Sequence, residues 1–522
     1  MAKRHRGTPQ TTSPSLPLAA PVAVLALLLA PAAHAQWKVV PGVDLRETYS
    51  DNVQLEAADR AHGQFITELA PSLALANDSP RLKVHANAIS HLYAYSDRVD
   101  GTNSSSSELR GDAHARLIGD LLFVDGAASI GQQAVSAFGP QVDNNNGYSS
   151  ANRAKVSTWR VSPYLRHRFG ATASGELRYT RDSVKSGNSL LGDSTSNTLA
   201  ASLSSGPAFH AIGWDLQASR QDLADSLDRK FHIQNSNATL RYRATQNLSP
   251  TASVGYDQYD YPKPGGSSAG RSYSLGFVWT PSLRTSIQAT AGHRYFGPSY
   301  LLALSHRSRG TVWTINYNDA VTTTRDQLLI PAAVNAVDVL DRLFATSIPD
   351  AVARRQAVDA YIAANGLPPS LAHNINYFSN RFVLQRAFQA AVAFNTARTT
   401  SVVALNASKR NALSAPDAVV PLPGTVVTTL DDDTKQAGAS VSMSYRLSPR
   451  TATSLNLNAS RSESLTTGIV DNRRAASLSM DAQLQRKLKG AVQLRHTQGN
   501  IAIAGGRTYR ENAVSASLSY QL

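Results

Sequence analysis

The chain has 522 residues, a formal net charge of +14 and no cysteine, and only 7% of its residues are aromatic and 17% charged. The absence of cysteine excludes disulfides, thiol nucleophiles, Cys-ligated metals and a lipid-modified bacterial N-terminus. The length would suggest several soluble domains. Few helical stripes or continuous apolar strands are present from which such domains could build a core, so we predict one large repetitive body.

Residues 1–35 have the three parts of a secretory signal peptide. Three basic residues precede an apolar centre at residues 16–30, and Ala33-His34-Ala35 forms a small-x-small cleavage site. No second apolar span of about 20 residues follows, so we do not expect an inner-membrane anchor. We predict an exported chain that begins at Gln36. Cleavage would remove three positive charges and lower the formal charge from +14 to +11.

From residue 38 onward, runs of alternating apolar and polar side chains are separated by turns. Asn456 and Asn458, for example, interleave with Leu455 and Leu457. A period of two indicates a β-strand with one apolar face and one wet face. The same alternation recurs along most of the chain, which predicts an all-β fold.

The connections between these runs alternate between short and long. Tight turns such as Gly119-Asp120 and Leu447-Ser448-Pro449 alternate with polar loops such as 97–107 and 412–432. This rhythm is typical of outer-membrane barrels, whose short turns are periplasmic and whose long loops are external. Residues 36–522 are therefore predicted to form a single large antiparallel up-and-down transmembrane β-barrel of about 22 strands. We expect it in the outer membrane of a Gram-negative bacterium, with both termini periplasmic.

The rhythm of the connections is interrupted by one insertion, which we place at residues 328–375. Two helices are predicted within 331–365, the second beginning at Ser347-Ile348-Pro349-Asp350 and ending at Asn365-Gly366, because Ser caps, early Pro and terminal Gly are usual helix boundaries. The insertion could be an ordered external loop, or it could fold into the lumen as a constriction or plug.

The last strand alternates cleanly, with Val514, Ala516, Leu518, Tyr520 and Leu522 on one face. It resembles the terminal strand that the outer-membrane assembly machinery recognises. That machinery, outer-membrane lipids and lipopolysaccharide are the expected partners. Nucleic acid is not expected, because the basic residues form no Lys/Arg block or basic helix.

The polar strand faces are predicted to line the lumen, and arginine is in excess on them. The candidate lumen-lining residues are Arg160, Arg166, Arg168, Arg178, Arg294, Arg410, Arg446 and Arg495. In a narrow pore such guanidinium groups would concentrate anions and pair with acidic groups of a glycan, so anionic polysaccharide is a candidate partner. A water-filled barrel also has a polar wall of mixed charge without any such role.

Several motifs resemble those of the PEP-CTERM system-associated outer membrane β-barrel family. They are Arg46-Glu47-Thr48-Tyr49-Ser50-Asp51-Asn52-Val53, Gly292-His293-Arg294-Tyr295-Phe296-Gly297, Ser305-His306-Arg307-Ser308-Arg309, Ala360-Tyr361-Ile362-Ala363-Ala364-Asn365-Gly366-Leu367-Pro368 and Phe382-Val383-Leu384-Gln385-Arg386. The resemblance spans essentially the whole mature chain. It implies an association with exopolysaccharide and exosortase loci, and it supplies no catalytic residues.

No nucleophile elbow, paired-carboxylate signature, metal-ligand spacing or phosphate-binding Gly loop stands out, so we predict no enzyme, no metal and no cofactor. The first hypothesis is a pore for the export of an extracellular polysaccharide. The second is a general diffusion porin. The third is a structural or adhesive barrel without transport.

Overall fold

The computed structural model describes residues 37–97, 102–141, 147–187, 193–226, 230–260, 268–329, 358, 381–414, 433–501 and 506–521. These residues form 22 strands and one short helix, α1 (Thr324–Leu329). The strands are β1 (Lys38–Ser50), β2 (Gln64–Asp78), β3 (Leu82–Tyr95), β4 (Ser105–Ile118), β5 (Leu122–Ala134), β6 (Arg153–Phe169), β7 (Ala173–Ser186), β8 (Ser194–Ser205), β9 (Ile212–Asp225), β10 (Lys230–Tyr242), β11 (Leu248–Tyr259), β12 (Ala269–Ser282), β13 (Thr285–Arg294), β14 (Gly297–Arg307), β15 (Thr311–Thr322), β16 (Val383–Asn395), β17 (Thr399–Ala412), β18 (Thr434–Ser448), β19 (Thr451–Ser464), β20 (Val470–Gln485), β21 (Leu488–Ile501) and β22 (Arg507–Gln521).

The strands form one closed sheet. Each strand is antiparallel to its neighbours in sequence, and β1 pairs with both β2 and β22. The β1–β22 seam runs from Gly42 opposite Gln521 to Ser50 opposite Ala513. Closure leaves no strand with unpaired backbone groups at an edge. The predicted up-and-down barrel of about 22 strands is therefore confirmed.

The alternation seen in the sequence separates the outside of the barrel from the inside. On β19 and β20, Leu457 and Leu478 are exposed on the outer face, whereas Ser454 and Ser479 are buried on the interior face. The same division recurs around the barrel and leaves many large apolar side chains exposed on its outside. Water-soluble monomers rarely expose so much contiguous apolar surface, and such a band is what a barrel presents to lipid.

No helix in the described part of the chain is long and apolar enough to span a membrane.

The connections differ in length between the two ends of the barrel. At the short-turn end, where β1 begins and β22 ends, no connection exceeds six residues. Gly119 and Gly170 supply the positive φ angles, 44° and 58°, that two of these turns require. At the other end, the loop end, most connections are longer, and the predicted rhythm is confirmed. Residues 295–296 are an exception, followed by Gly297 with a φ of 113°.

The helical insertion begins earlier than the sequence predicted. Helix α1 starts at Thr324 instead of after Pro331, and Val358 is helical and fully buried. The rest of the helices predicted within 331–365 lies outside the described residues, as do the predicted signal peptide and Leu522.

Candidate functional site: the barrel interior

Helix α1 begins at a capping box that the sequence contains. The Thr323 hydroxyl oxygen accepts a hydrogen bond from the Asp326 backbone N–H at 3.1 Å, and the Asp326 carboxylate accepts one from the Thr323 N–H, also at 3.1 Å. Two of the N–H groups left unpaired at a helix start are satisfied in this way. The capping box thus explains why the chain turns into a helix directly after β15.

Helix α1 crosses the interior at the loop end and joins two distant parts of the wall. On one side Arg325 donates to the Asp182 carboxylate on β7 and, at 2.8 Å, to the Ser194 hydroxyl on β8. On the other side Gln327 donates to Gln385 on β16 and accepts from Arg410 on β17 at 2.6 Å. We call α1 with these contacts to β7, β8, β16 and β17 the strut. Arg325 and Asp182 are both buried, so the charges of this pair are shielded from water.

An apolar cluster lies at the loop end beside the strut. Phe231 and Tyr259, on β10 and β11, pack edge-on against Phe382, which immediately precedes β16, with ring centroids 5.5 and 6.3 Å away. Leu223 and Ile233 complete the cluster, and all five residues are buried. Strands β9–β11 and the segment that leads into β16, which are not neighbours in the sheet, therefore meet through apolar contacts at this level.

A buried network of charged and hydroxyl groups lies at the loop end near the seam. Tyr148, in the connection between β5 and β6, accepts a hydrogen bond from Arg495 of β21 at 2.8 Å. Arg495 also pairs with Glu511 of β22 at 2.9 Å, and Glu511 accepts a hydrogen bond from Ser50 at 2.7 Å. Burial raises the pKa of the Tyr148 hydroxyl, so it remains a neutral hydroxyl within the network. The β5–β6 connection is thereby anchored to strands on the far side of the seam.

The segment that follows β1, which carries the first resemblance motif, folds back onto the same seam. The Asp51 carboxylate accepts hydrogen bonds at 2.7 Å from the backbone and side-chain amides of Asn512. The Asn52 side chain donates to the Arg510 carbonyl at 3.0 Å, and Val53 is buried against Tyr148. These contacts give the motif a structural role, which is to fix the barrel seam at the loop end.

Part of the interior is open below these closures. A cavity of about 670 Å³ lies against β7–β15. Its walls carry hydroxyl and amide side chains, including Ser202, Gln217, Asn235, Asn237, Ser274 and Asn318. We call the interior face of β7–β14 that lines this cavity the open wall.

Most of the interior face of β15–β20 is buried or half-buried, except near the short-turn end, where Arg446 is exposed. Towards the short-turn end Val312, Ala393 and Val402 are at most 2% exposed, and Ser442 and Ser454 are at most 3% exposed. We call this face the covered wall. The difference was detectable in the sequence, because β16 and β17 carry apolar residues on both faces, as strands do when both faces are buried.

The eight candidate arginines all lie on interior strand faces, but most of them are engaged with other groups. Arg178 pairs with Asp125 and Glu176, Arg166 with Glu176, and Arg294 with Asp257. Arg495 pairs with Glu511, and Arg410 is buried beside Gln327. These pairs neutralise much of the positive charge that the sequence suggested.

The remaining three candidates differ in position. Arg160 lies opposite Asp182 in the β6–β7 register and is partly buried. Arg168 and Arg446 are exposed near the short-turn end, and in the described ranges no carboxylate lies within ion-pair distance of either. Whether any of the eight contacts a solute stays a prediction.

Exposed interior arginines lie around the short-turn end, on β4, β6, β10 and β18. We call this set the mouth arginines: Arg116, Arg166, Arg168, Arg241 and Arg446. Sequence reasoning included three of them and missed Arg116 and Arg241. Their shared signal was an arginine one to five residues from a tight turn, on the polar face of its strand.

No family model matches the chain, and no curated protein matches it. Among solved structures, the siderophore receptor PirA from Pseudomonas aeruginosa aligns at 9% identity and a TM-score of 0.38, over 94% of this chain and 81% of that one. The FrpB iron transporter from Neisseria meningitidis aligns at 8% and 0.47, over 94% and 83%. OccK8 (OprE) from Pseudomonas aeruginosa aligns at 8% and 0.31, over 94% and 99%. Likeness of this degree carries no argument about function.

Proposed function

We propose that this chain is an outer-membrane β-barrel pore that passes an extracellular polysaccharide, in an envelope system of the PEP-CTERM/exosortase type. The short turns would face the periplasm and the long loops the exterior. The chain would bind and conduct a polymer without transforming it chemically.

The observation that carries the proposal is the difference between the two ends of the interior. In the described residues, contacts across the interior lie at the loop end, through α1, the apolar cluster and the Tyr148 network, whereas exposed polar side chains such as Gln217 and Asn237 line the cavity. A polymer could therefore enter from the periplasm and would leave only after the loop end opened. Contacts of this kind are not expected in a general diffusion porin, which needs an open path through the interior.

The charge at the open end supports an acidic polymer. Arg116 is paired with Asp120 and Arg166 with Glu176, whereas Arg168, Arg241 and Arg446 are exposed without an ion pair in the described residues. Their surplus of positive charge would raise the local concentration of anionic solutes. Deeper in, the Arg294–Asp257 pair is neutral as a unit, and hydroxyl and amide groups dominate the open wall. Such a surface would let a glycan slide by exchanging hydrogen bonds instead of holding it by charge.

The experiment is gene deletion with complementation, measuring polysaccharide secreted into the medium. We expect loss of the polymer on deletion and restoration by the wild-type gene. A variant with Arg168, Arg241 and Arg446 changed to Gln should restore less than the control variant in which the outer-face residues Arg181, Arg220 and Arg271 are changed to Gln. Undiminished secretion after deletion would refute the proposal.

The contacts across the loop end also fit a structural or adhesive barrel without transport. That alternative predicts altered surface attachment with unchanged polymer export, so the same deletion strain separates the two. In planar bilayers a diffusion porin would instead show high conductance that acidic polysaccharide does not block.

A further inference from the structure

We propose that the outer face of the barrel binds a phosphorylated glycolipid of the leaflet at the loop end through a row of three cations, Arg386, Lys409 and Lys435. We call these residues the cationic row. The proposal rests on the outer-membrane location given above but not on polymer transport.

The strand register places the three cations side by side. Arg386 on β16 lies directly opposite Lys409 on β17, and Lys409 lies directly opposite Lys435 on β18. All three belong to the outward strand face, because their sequence neighbours Gln385, Arg410 and Gln436 lie on the interior face with the buried residues of the covered wall. With strands about 4.8 Å apart, the row extends roughly 10 Å along the outside of the barrel.

Nearby carboxylates neutralise the row only in part. Asp319 forms an ion pair with Arg386 at 3.9 Å, and Glu463 lies opposite Lys435 in the register but is 3.7 Å from Arg461. Lys409 and Lys435 are exposed and face one another. Like charges directly opposite one another destabilise a sheet. An anion that lies across the two lysines would relieve this repulsion.

The position of the row selects a membrane lipid as the source of that anion. Leu405 and Met443, on the same outward strand faces but nearer mid-barrel, are exposed apolar residues. Lys409 and Lys435 lie within four residues of the loop-side ends of β17 and β18. The cations are thus at the rim of the apolar surface, where lipid head groups lie and where long basic side chains extend towards them.

The spacing of the row distinguishes a glycolipid from an ordinary phospholipid. One phosphodiester can contact one or two cations, whereas three cations in a line of about 10 Å fit a head group that carries more than one phosphate. The lipid moiety of lipopolysaccharide has that chemistry. The acyl chains of such a lipid would lie against the apolar face that includes Leu405.

The experiment is native mass spectrometry of the purified barrel in detergent with bisphosphorylated lipid A, dephosphorylated lipid A or phosphatidylglycerol. The variant carries Lys409→Gln and Lys435→Gln, and the control carries Arg220→Gln and Arg271→Gln on the same outer face. We expect the double lysine variant to bind bisphosphorylated lipid A about tenfold more weakly than wild type, and the control to bind as wild type does.

A second readout separates lipid binding from a structural role. Without lipid A, Lys409→Gln should raise the melting temperature, because it removes repulsion from Lys435. With saturating lipid A, wild type should gain more thermal stability than the variant. Unchanged lipid A binding in the double variant, or equal binding of the dephosphorylated lipid or of phosphatidylglycerol, would overturn the proposal. These outcomes do not depend on polysaccharide secretion, so this proposal and the transport proposal can fail separately.

Discussion

The open wall and the covered wall belong to the same sheet and have the same alternation, yet they have opposite environments. On the open wall Gln217 and Asn237 are exposed inside the barrel. On the covered wall Ser442 and Ser454 are as buried as core residues. The comparison teaches that a polar interior face does not by itself imply contact with water. What separates the walls is how deeply their interior side chains are buried, and Ala393 and Val402 are at most 1% exposed.

The strut that joins the two walls should show the largest effect. Arg325→Ala would leave the Asp182 carboxylate buried without its cation, and breaking a buried pair in this way costs about 3–5 kcal/mol. The free energy of unfolding in urea, followed by gel mobility of the heat-sensitive folded form, measures the loss. Arg220→Ala is the control, because the exposed Arg220–Asp222 pair contributes at most about 1 kcal/mol. Equal losses in the two variants would show that the strut does not connect the walls.

A matched pair of alanines contrasts the walls directly. Ala393 on the covered wall is 0% exposed, so Ala393→Leu should overpack its surroundings and destabilise the barrel by about 1–3 kcal/mol. Ala200 lines the cavity on the open wall, so Ala200→Leu should change stability by no more than about 0.5 kcal/mol. Urea unfolding of both variants measures the difference. If Ala393→Leu left the free energy of unfolding unchanged, the covered wall would have to be accessible.

The Tyr148 network tests how much the buried contacts near the seam, beside the covered wall, contribute to stability. Tyr148→Phe removes the acceptor of the Arg495 hydrogen bond and should destabilise the barrel by about 1–3 kcal/mol, because a buried donor is left unpaired. Since burial raises the pKa of Tyr148, the wild type should lose stability as the pH rises above about 10, where the unfolded chain ionises and the folded chain does not. The Phe variant should lose less over that range. Identical alkaline profiles would contradict the burial of this hydroxyl.

The smallest perturbation is a single cysteine, which the chain otherwise lacks. Ser272→Cys on the open wall and Ser442→Cys on the covered wall should each alter stability by about 0.5 kcal/mol or less. A hydrophilic maleimide should label Cys at position 272 much faster than at position 442. Similar labelling rates in the folded barrel would abolish the distinction between the walls.

The capping box Thr323–Asp326 shows a feature that could have been read from the sequence and was not. The helices were predicted from Pro331 onward. The Thr-x-x-Asp spacing is a local signal of a helix start, and it begins eight residues earlier. The two-faced apolar pattern of β16 and β17 likewise indicated a covered interior.

The partners of the candidate arginines could not have been predicted. Arg495 meets Tyr148 across 347 residues of sequence, and Arg325 meets Asp182 across 143. Such contacts depend on which strands lie near one another across the interior and on how far the loop-end segments reach inward. The alternation of apolar and polar residues along a strand predicts neither which strands approach one another across the interior nor how far the loop-end segments reach.

The sequence alone determined the strand type, the approximate number of strands and the two faces of each strand. These follow from side-chain period and turn chemistry, which act over a few residues. Only the tertiary structure decided which interior faces are buried, which charges neutralise one another and which end carries contacts across the interior. Those properties arise when closure of the sheet brings distant side chains into contact, where burial and Coulomb energies depend on position in space rather than on position in the chain.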